Sequence, residues 1–475
     1  MRASPETLLV VAANDELGAR TSINPIVWRV AAVAFLGPFM TQMDSTVVNV
    51  SLSTIRGELN ASIAAAQWIL SGYLLALALM LPVNGWLVDR VGARRLYLGC
   101  FSAFTLASLL CGAARTIDEL ILARILQGVA GGLMAPMAQM MIARVAGRDM
   151  ARVLGYAVIP VLMAPILGPV IAGAILKYAS WPWLFYVNLP VGILGVTLAF
   201  FLLPRDEVSS TRRPFDLSGF LMISPGLVCL LYGFSRMSHA DGLAALLVGA
   251  LLMAGFVLHA RRMKLRALID LDLFRIRIFS TATATQFFAN AAFYATQFLM
   301  SLYFITGCAL SASQAGWLIA AMGVGMMCSY PLVGTLTDRF GCRAVSAGGA
   351  AAALCGMLPF LWMSHSAFSS GVAYVSLFVI GMGQGTVTIP SVSAAYASVP
   401  KDRIPVANSA INIVQRLGGP LATTLMAAVM SPAAGAVSVP TARPFLVAFA
   451  VLIGLYVFVF GAASRLPIRI HSTAS

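Results

Sequence analysis

The chain is short of charge. Only 10% of its 475 residues are Asp, Glu, Lys or Arg, against 60% hydrophobic, where a soluble domain carries about 25% charged residues. Too little polar side chain is left to coat a water-facing surface of this size, so a bilayer becomes the natural solvent. Disulfide and metal chemistry are equally poorly supplied. The seven cysteines (Cys100, Cys111, Cys229, Cys308, Cys328, Cys342, Cys355) are scattered, mostly inside apolar runs, with no CxxC pair and no Cys/His ligand spacing. The four histidines, His239, His259, His365 and His471, fall in loops, at segment ends or in the tail. No nucleophile–base set, P-loop or metal spacing appears, which argues against an enzyme and against a nucleotide-driven pump. No cofactor is called for. A signal peptide is also missing: the apolar run from Leu8 to Ala13 meets Asn14-Asp15-Glu16 at once.

Long apolar runs are what the chain does have. A membrane-crossing helix needs about 20 mostly apolar residues, and fourteen such segments can be read: 28–52, 66–88, 96–114, 119–143, 153–176, 184–203, 217–235, 243–259, 280–305, 314–336, 345–363, 370–393, 406–430 and 444–464. The formal charge of +14 first suggests nucleic acid, but the basic residues sit in short clusters between the runs, as cytoplasmic loops require. With the N-terminus inside, 24 of the 31 Lys and Arg fall on cytoplasmic segments, five on external loops (Arg56, Arg115, Lys177, Arg236, Arg443) and two within segments. A missed or invented helix would scramble that alternation from its position onward. The expectation is an all-α polytopic membrane protein with both termini cytoplasmic, partnered by lipid and not by nucleic acid.

The chain also repeats itself. Gly85-Trp-Leu87-Val-Asp89-Arg90-Val-Gly92-Ala-Arg94 and Gly334-Thr-Leu336-Thr-Asp338-Arg339-Phe-Gly341-Cys-Arg343 agree at six of ten positions, at an offset of 249. A second echo, Gln127-Gly128 against Gln384-Gly385, is offset by 257. Segments one to six then match nine to fourteen, and seven and eight are an insertion (6 + 2 + 6). The divisions expected are a cytoplasmic N-terminal tail 1–27, a six-helix bundle 28–203, a linker with two inserted helices 204–279, a second bundle 280–464 and a cytoplasmic tail 465–475. Parallel repeats of this kind place a substrate path between the halves, near mid-membrane. The turn built from Gly85, Asp89, Arg90, Gly92, Arg94 and Arg95, with Gly334, Asp338, Arg339 and Gly341, suits a switchable clamp. Glycine permits a tight reversal, and the charges can cap or pair with helix ends.

Three charges stand well inside apolar segments: Asp44, Arg124 and Arg416. Each is costly there, about 2.5–3.5 kcal/mol at a helix centre on insertion scales, and normally faces a bundle interior or a wet cavity. Asp44 is about 20 Å into the first segment at about 1.5 Å per residue, and Arg124 enters the fourth from the other side, so they can share a depth. A carboxylate pushed toward its neutral form by burial and toward its charged form by a neighbouring cation is suited to carry protons. A static pair that fixes helix packing is the other reading. Arg416 has three open roles: contact with substrate, coordination of an anionic group, or support of the C-terminal bundle. Gln42, Asn49, Gln127, Gln139, Asn290, Gln297, Asn412 and Gln415 can line a polar path, although transmembrane amides often bond between helices. Phe287, Phe288, Phe293, Tyr294 and Phe298 form either an aromatic wall or lipid-facing and core packing. Pro165, Gly168, Pro169 and Gly173 make the fifth segment pliable and closely packed.

Taken together, these motifs resemble the major facilitator superfamily. Gly85 to Arg95 is similar to its signature between helices two and three, and Arg124-Ile-Leu-Gln127-Gly128 to its helix-four motif. Pro165-Ile-Leu-Gly168-Pro169-Val-Ile-Ala-Gly173 resembles the helix-five motif of its proton antiporters. Met43-Asp44-Ser-Thr46-Val-Val48-Asn49-Val and Trp181-Pro-Trp183-Leu-Phe-Tyr-Val-Asn188-Leu-Pro190-Val-Gly192 resemble the fourteen-spanning drug:proton antiporter branch, the EmrB/QacA type. Ala164 and Ala172 depart from it where glycines are common, and Gly381 stands where an echo of Arg124 would fall, which assigns any proton coupling to the N-terminal half. The resemblance implies export of small amphipathic or cationic compounds in exchange for protons by alternating access, in a cell inner membrane, with accessory efflux subunits left open. Export of a single metabolite, or a non-transporting sensor or scaffold, are the competing expectations.

Overall fold

The computed structural model describes residues 23–205, 214–237, 239–263, 267–364, 368–434 and 442–468. The expected N-terminal tail up to residue 22, the basic loop residues Arg212, Arg213, Lys264 and Arg266, and the tail beyond residue 468 lie outside the described residues. Within hydrocarbon a helix satisfies every backbone group from its own segment, and helix is what the apolar runs adopt. α1 (Pro25–Glu58) starts where the Asn24 side chain accepts the Ile26 N–H at 2.9 Å and Pro25 stands at the first position. α2 (Ile63–Met80), capped by Ser62, passes through a 3-10 turn at Leu81–Val83 into α3 (Asn84–Val91). Then come α4 (Ala93–Ala113), α5 (Ile117–Ala146, capped by Thr116), α6 (Met150–Ala157), α7 (Ile159–Tyr178), α8 (Trp183–Tyr186) and α9 (Asn188–Leu202). α10 (Leu217–Ser235) and α11 (Ala240–Met263) pack on each other. α12 (Arg277–Leu302) ends in a π turn at Tyr303–Gly307, and α13 (Ala312–Met363), α14 (Ser370–Ala397), α15 (Ile404–Ala434) and α16 (Ala442–Ala463) follow.

Each of the fourteen apolar segments coincides with helix, but the breaks differ from the expectation. The tenth and eleventh abut within α13, where a non-helical Gly341 (φ 83°, ψ 163°) separates two helices as Gly92 separates α3 from α4. The second, fifth and sixth are each divided in two. Among the described residues eleven helices are long and apolar enough to cross a membrane, or twelve if the pair Met150–Pro165 and Leu167–Tyr178, bent by 41°, makes one crossing. α12, which carries Thr281, Thr283, Thr285, Gln286, Asn290 and Gln297, is not among them. The internal repeat reappears in the backbone: Gly92 (φ 93°) and Gly341 (φ 83°) share a conformation that disfavours side chains.

Three apolar clusters organise the packing. One joins early and late parts of the chain toward the end that bears Gly92 and Gly341, where Met137, Met150 and Val153 share a core with Tyr330, Val392 and Val406. The other two stay apart. Met43, Val47, Ile69, Cys111 and Phe185 belong to one, Leu299, Phe304, Phe360 and Phe449 to the other. The halves are thus welded toward one end and separate toward the other. α10 bridges them from the side, stacking Tyr232 on Trp68 of α2 at 6.5 Å and accepting a 2.9 Å hydrogen bond at the Phe234 carbonyl from Thr424 of α15.

Candidate functional site

Asp44 and Arg124 meet in the middle of the N-terminal helices, both side chains 0% exposed, with Arg124 Nη1 2.5 Å from Asp44 Oδ2. Close helix approach sets the geometry. α5 lies against α2 because Gly128 and Gly132 have no side chain to strike the carbonyls of Tyr73 and Leu77, which an added Cβ would reach at 2.5 Å. That contact puts the Tyr73 ring 4.0 Å beneath the Arg124 guanidinium, a buried cation–π contact. Arg124 Nε also donates to the Ile69 carbonyl at 3.3 Å. α7 closes on α1 at Gly168, where a Cβ would sit 2.3 Å from Thr46 Oγ1, two residues from Asp44.

The pair is the centre of a larger network. Gln127 Nε2 donates to Asp44 Oδ1 at 3.0 Å and to Ser108 Oγ at 2.7 Å, while its Oε1 accepts from Arg124 Nη1 at 2.5 Å. Asn188, the first residue of α9, donates from Nδ2 to Asp44 Oδ1 at 2.8 Å. Asp44 therefore accepts three hydrogen bonds from α5 and α9 while standing on α1. Arg124 Nη2 is buried without a partner, so the donors exceed the acceptors and the cluster can rebond if Asp44 changes its charge. Gly381, the C-terminal counterpart of Arg124, has no such charge: a Cβ there would meet the Met322 carbonyl at 1.9 Å, so helix contact replaces the ion pair. Its neighbour Gln384 donates instead to Tyr456 at 2.9 Å.

The repeated turns lie at the weld between the halves. Gly85 donates its N–H to Ser409 Oγ of α15 at 3.1 Å, and a Cβ on it would come 2.9 Å from the Pro405 carbonyl. The symmetry-related contact presses Gly334 of α13 onto Arg152 of α6, and Arg152 pairs with Asp338 at 3.6 Å. Asp89, Arg94 and Arg95 are all engaged with neighbours, Arg94 donating to the Phe200 carbonyl, while Arg90 and Arg339 are exposed. Asn84 sits in this weld fully buried with neither amide atom hydrogen-bonded, a local penalty that the closed arrangement carries.

The polar path divides. Gln42 and Asn49 are exposed on α1 and stay outside the network; Gln139 and Gln415 are half-buried. Asn412 donates to the Asn408 side chain and carbonyl at 2.9 Å, an arrangement within α15. Asn290 keeps its Oδ1 buried and unbonded. Gln297 lines a cavity of about 450 Å³ formed by Tyr294, Phe298, Ser301 and Leu302 of α12, Ile305 and Thr306 of the π turn that follows it, and Thr423 of α15. The aromatic run of α12 therefore splits: Tyr294 and Phe298 face the cavity, and Phe288 stacks on Phe458 at 5.5 Å. On α7, Gly168, Ala164 and Ala172 are buried, while Pro165, Pro169 and Gly173 are exposed. Three members of the buried network, Tyr73, Ser108 and Asn188, were not singled out from sequence. Asn188 carried a signal, as an amide within the quoted Trp181–Gly192 motif. Tyr73 and Ser108 are ordinary residues of apolar helices and carried none.

Comparison with known proteins bears on this arrangement. The family model described as Major Facilitator Superfamily matches residues 34–423. The chain is similar to the Multidrug resistance protein B homolog of Mycobacterium tuberculosis, 33% identical over 411 residues, covering 85% of this chain and 76% of that protein. It is also similar to the Putative multidrug resistance protein MdtD of Escherichia coli, 35% identical over 325 residues, covering 67% and 68%. Among solved structures, the human organic anion transporter MFSD10 superposes with a TM-score of 0.62 at 14% identity, covering 93% of this chain and 100% of that one. The proton:xylose symporter XylE superposes with a TM-score of 0.62 at 15% identity, covering 92% and 95%. At such identities the superpositions speak for the fold alone.

Proposed function

This chain belongs to the major facilitator superfamily, and from that premise we propose that it is a proton-coupled antiporter that exports small amphipathic or cationic compounds by alternating access. The multidrug names of its relatives support efflux, and the chain is not an enzyme. The observation that carries the coupling is the fully buried Asp44–Arg124 pair, hydrogen-bonded to α5 and α9 at once. A proton on Asp44 removes the charge that draws α1, α5 and α9 together; the exchange is one proton bound against one network released. In the state facing out, Asp44 takes the proton and substrate leaves; in the state facing in, it loses the proton and substrate binds again.

The proposed architecture is fourteen crossings, bundles at 28–203 and 280–464, and the inserted pair α10–α11 beside them. The weld at Gly85, Gly92, Gly334 and Gly341 is assigned to the cytoplasmic side by the basic loops, with both termini there and the protein in a bacterial inner membrane. The separate apolar clusters on the opposite side then correspond to an outward-facing state. Asp89, Arg90, Arg94, Arg95, Asp338 and Arg339 act as its gate, and Pro165, Gly168, Pro169 and Gly173 of α7 as the helix that yields.

The test is proton flux in proteoliposomes, with a pH-sensitive dye inside and cationic, neutral and zwitterionic compounds added in turn. Substrate-dependent proton movement that disappears in Asp44→Asn is expected. Flux that survives that substitution removes Asp44 from the mechanism. Competition among unrelated compounds distinguishes broad efflux from export of one metabolite, and ligand binding without flux indicates a sensor.

A further inference from the structure

Arg416 is the one deeply placed cation among the described residues whose countercharge is missing. It stands midway along α15, half-buried, and donates no hydrogen bond and forms no ion pair. The groups that bear on it electrostatically are the phenols of Tyr294 and Tyr73, neither a carboxylate. Other buried or half-buried arginines in this chain are hydrogen-bonded: Arg124 donates to the Ile69 carbonyl at 3.3 Å and Arg343 to the Leu466 carbonyl at 2.7 Å. Asp44, the mid-helix carboxylate, is already taken by Arg124 at 2.5 Å. The region between the halves thus carries a surplus positive charge, and an unpaired charge at such depth marks a functional position.

Helix geometry places that charge on the face of α15 that also carries the cavity residue Thr423, although Arg416 is not itself part of the cavity wall. Arg416, Gly419 and Thr423 stand at i, i+3 and i+7 and share one face of α15. Thr423 lines the cavity, and Gly419 abuts Tyr294, its absent Cβ falling 2.7 Å from that ring. Arg416 lies about one helical turn beyond Gly419 and about two turns, or about 10 Å along the axis, from Thr423. The cavity of about 450 Å³ has the size of a small-molecule site. Its walls of Tyr294, Phe298, Leu302 and Ile305 are apolar, with Gln297 and Ser301 as neutral hydrogen-bonding groups.

Resting on the export reading above, we propose that this cavity selects small amphipathic acids, the anionic head bound by the Arg416 guanidinium and the apolar body lying along Tyr294 and Phe298. A guanidinium presents a planar fork of donors that matches a carboxylate or sulfonate. No carboxylate faces the cavity, so a cationic head would meet like charge there.

The experiment uses the full chain in lipid nanodiscs and three probes of one shape: naphthalenesulfonate, naphthylmethanol and naphthylmethyl-trimethylammonium. Binding is measured by titration calorimetry, and proton flux in proteoliposomes with the same probes. The sulfonate is expected to bind more tightly than the ammonium by about 10- to 100-fold, the worth of a charge-assisted hydrogen bond. Arg416→Gln abolishes that difference while leaving naphthylmethanol unchanged, and Arg416→Lys retains most of it. The charge preference of the unaltered protein decides the matter even where a variant fails to fold. Equal or tighter ammonium binding, or sulfonate binding untouched by Arg416→Gln, overturns the proposal. Proton flux driven by the ammonium alone overturns it and leaves the antiporter standing, whereas no binding and no flux with any probe overturns both.

Discussion

Breaking the Asp44–Arg124 pair from one side should be far more damaging than removing both partners. At 2.5 Å the gross attraction is about 7 kcal/mol with an effective dielectric of about 20, but desolvating each ion costs several kcal/mol, so the pair nets little. Asp44→Asn leaves Arg124 charged at 0% exposure, with Tyr73 beneath it and only neutral acceptors, the Gln127 side-chain oxygen and the Ile69 carbonyl. That isolated charge should lower stability by about 3–5 kcal/mol. Adding Arg124→Gln removes the stranded cation and restores most of the loss, so the double variant should be more stable than Asp44→Asn alone. Proton-driven transport should be absent in all three variants. The assay is reversible unfolding in mixed micelles as a double-mutant cycle, read beside proton flux from the same preparations. A double variant as unstable as the sum of the singles would refute the electrostatic argument, because it would mean that shape and not charge holds the site.

Four further outcomes follow from the geometry. Gly381→Ala places a methyl 1.9 Å from the Met322 carbonyl and should cost about 1–3 kcal/mol through separation of α13 and α14, seen as a lowered unfolding midpoint without loss of proton coupling per transported molecule. Asn84→Leu removes two buried unbonded amide atoms, each worth about 1–3 kcal/mol. It should favour the closed weld, read as shorter spin-label distances between α3 and α15. Gly334→Val strikes the Arg152 backbone and should open the same weld, lengthening distances between α6 and α13; unchanged distances would count against that contact as a gate. Asp338→Asn removes a 3.6 Å, partly exposed pair with Arg152 and should alter stability by no more than about 1 kcal/mol, while changing the ratio of the two facing states in the same measurement.

Much of the architecture was legible because hydrocarbon imposes it. Once a run of about 20 apolar residues enters a bilayer, helix is the conformation that satisfies its backbone, so the all-helical class could be read without knowing a single contact. Eleven or twelve helices among the described residues meet the length and apolarity of a crossing. The reversals at Gly92 and Gly341 were legible because glycine alone tolerates that backbone cheaply. Asp44, Arg124 and Arg416 stood out because charge at such depth is expensive. What the helices do to one another was decided only by the fold. Tyr73 and Asn188 reach Arg124 and Asp44 from α2 and α9, and Ser108 of α4 joins them through Gln127, by close helix contacts that no local pattern announces. The breaks in the second and fifth segments fall at Pro82 and Pro160, each at the start of the element that follows. Gln42 and Asn49 look no different in sequence from Gln127, yet they are exposed on α1, because rotation about a helix axis is set by packing between helices. Composition determines that these segments enter the membrane; close packing determines which of their polar groups meet.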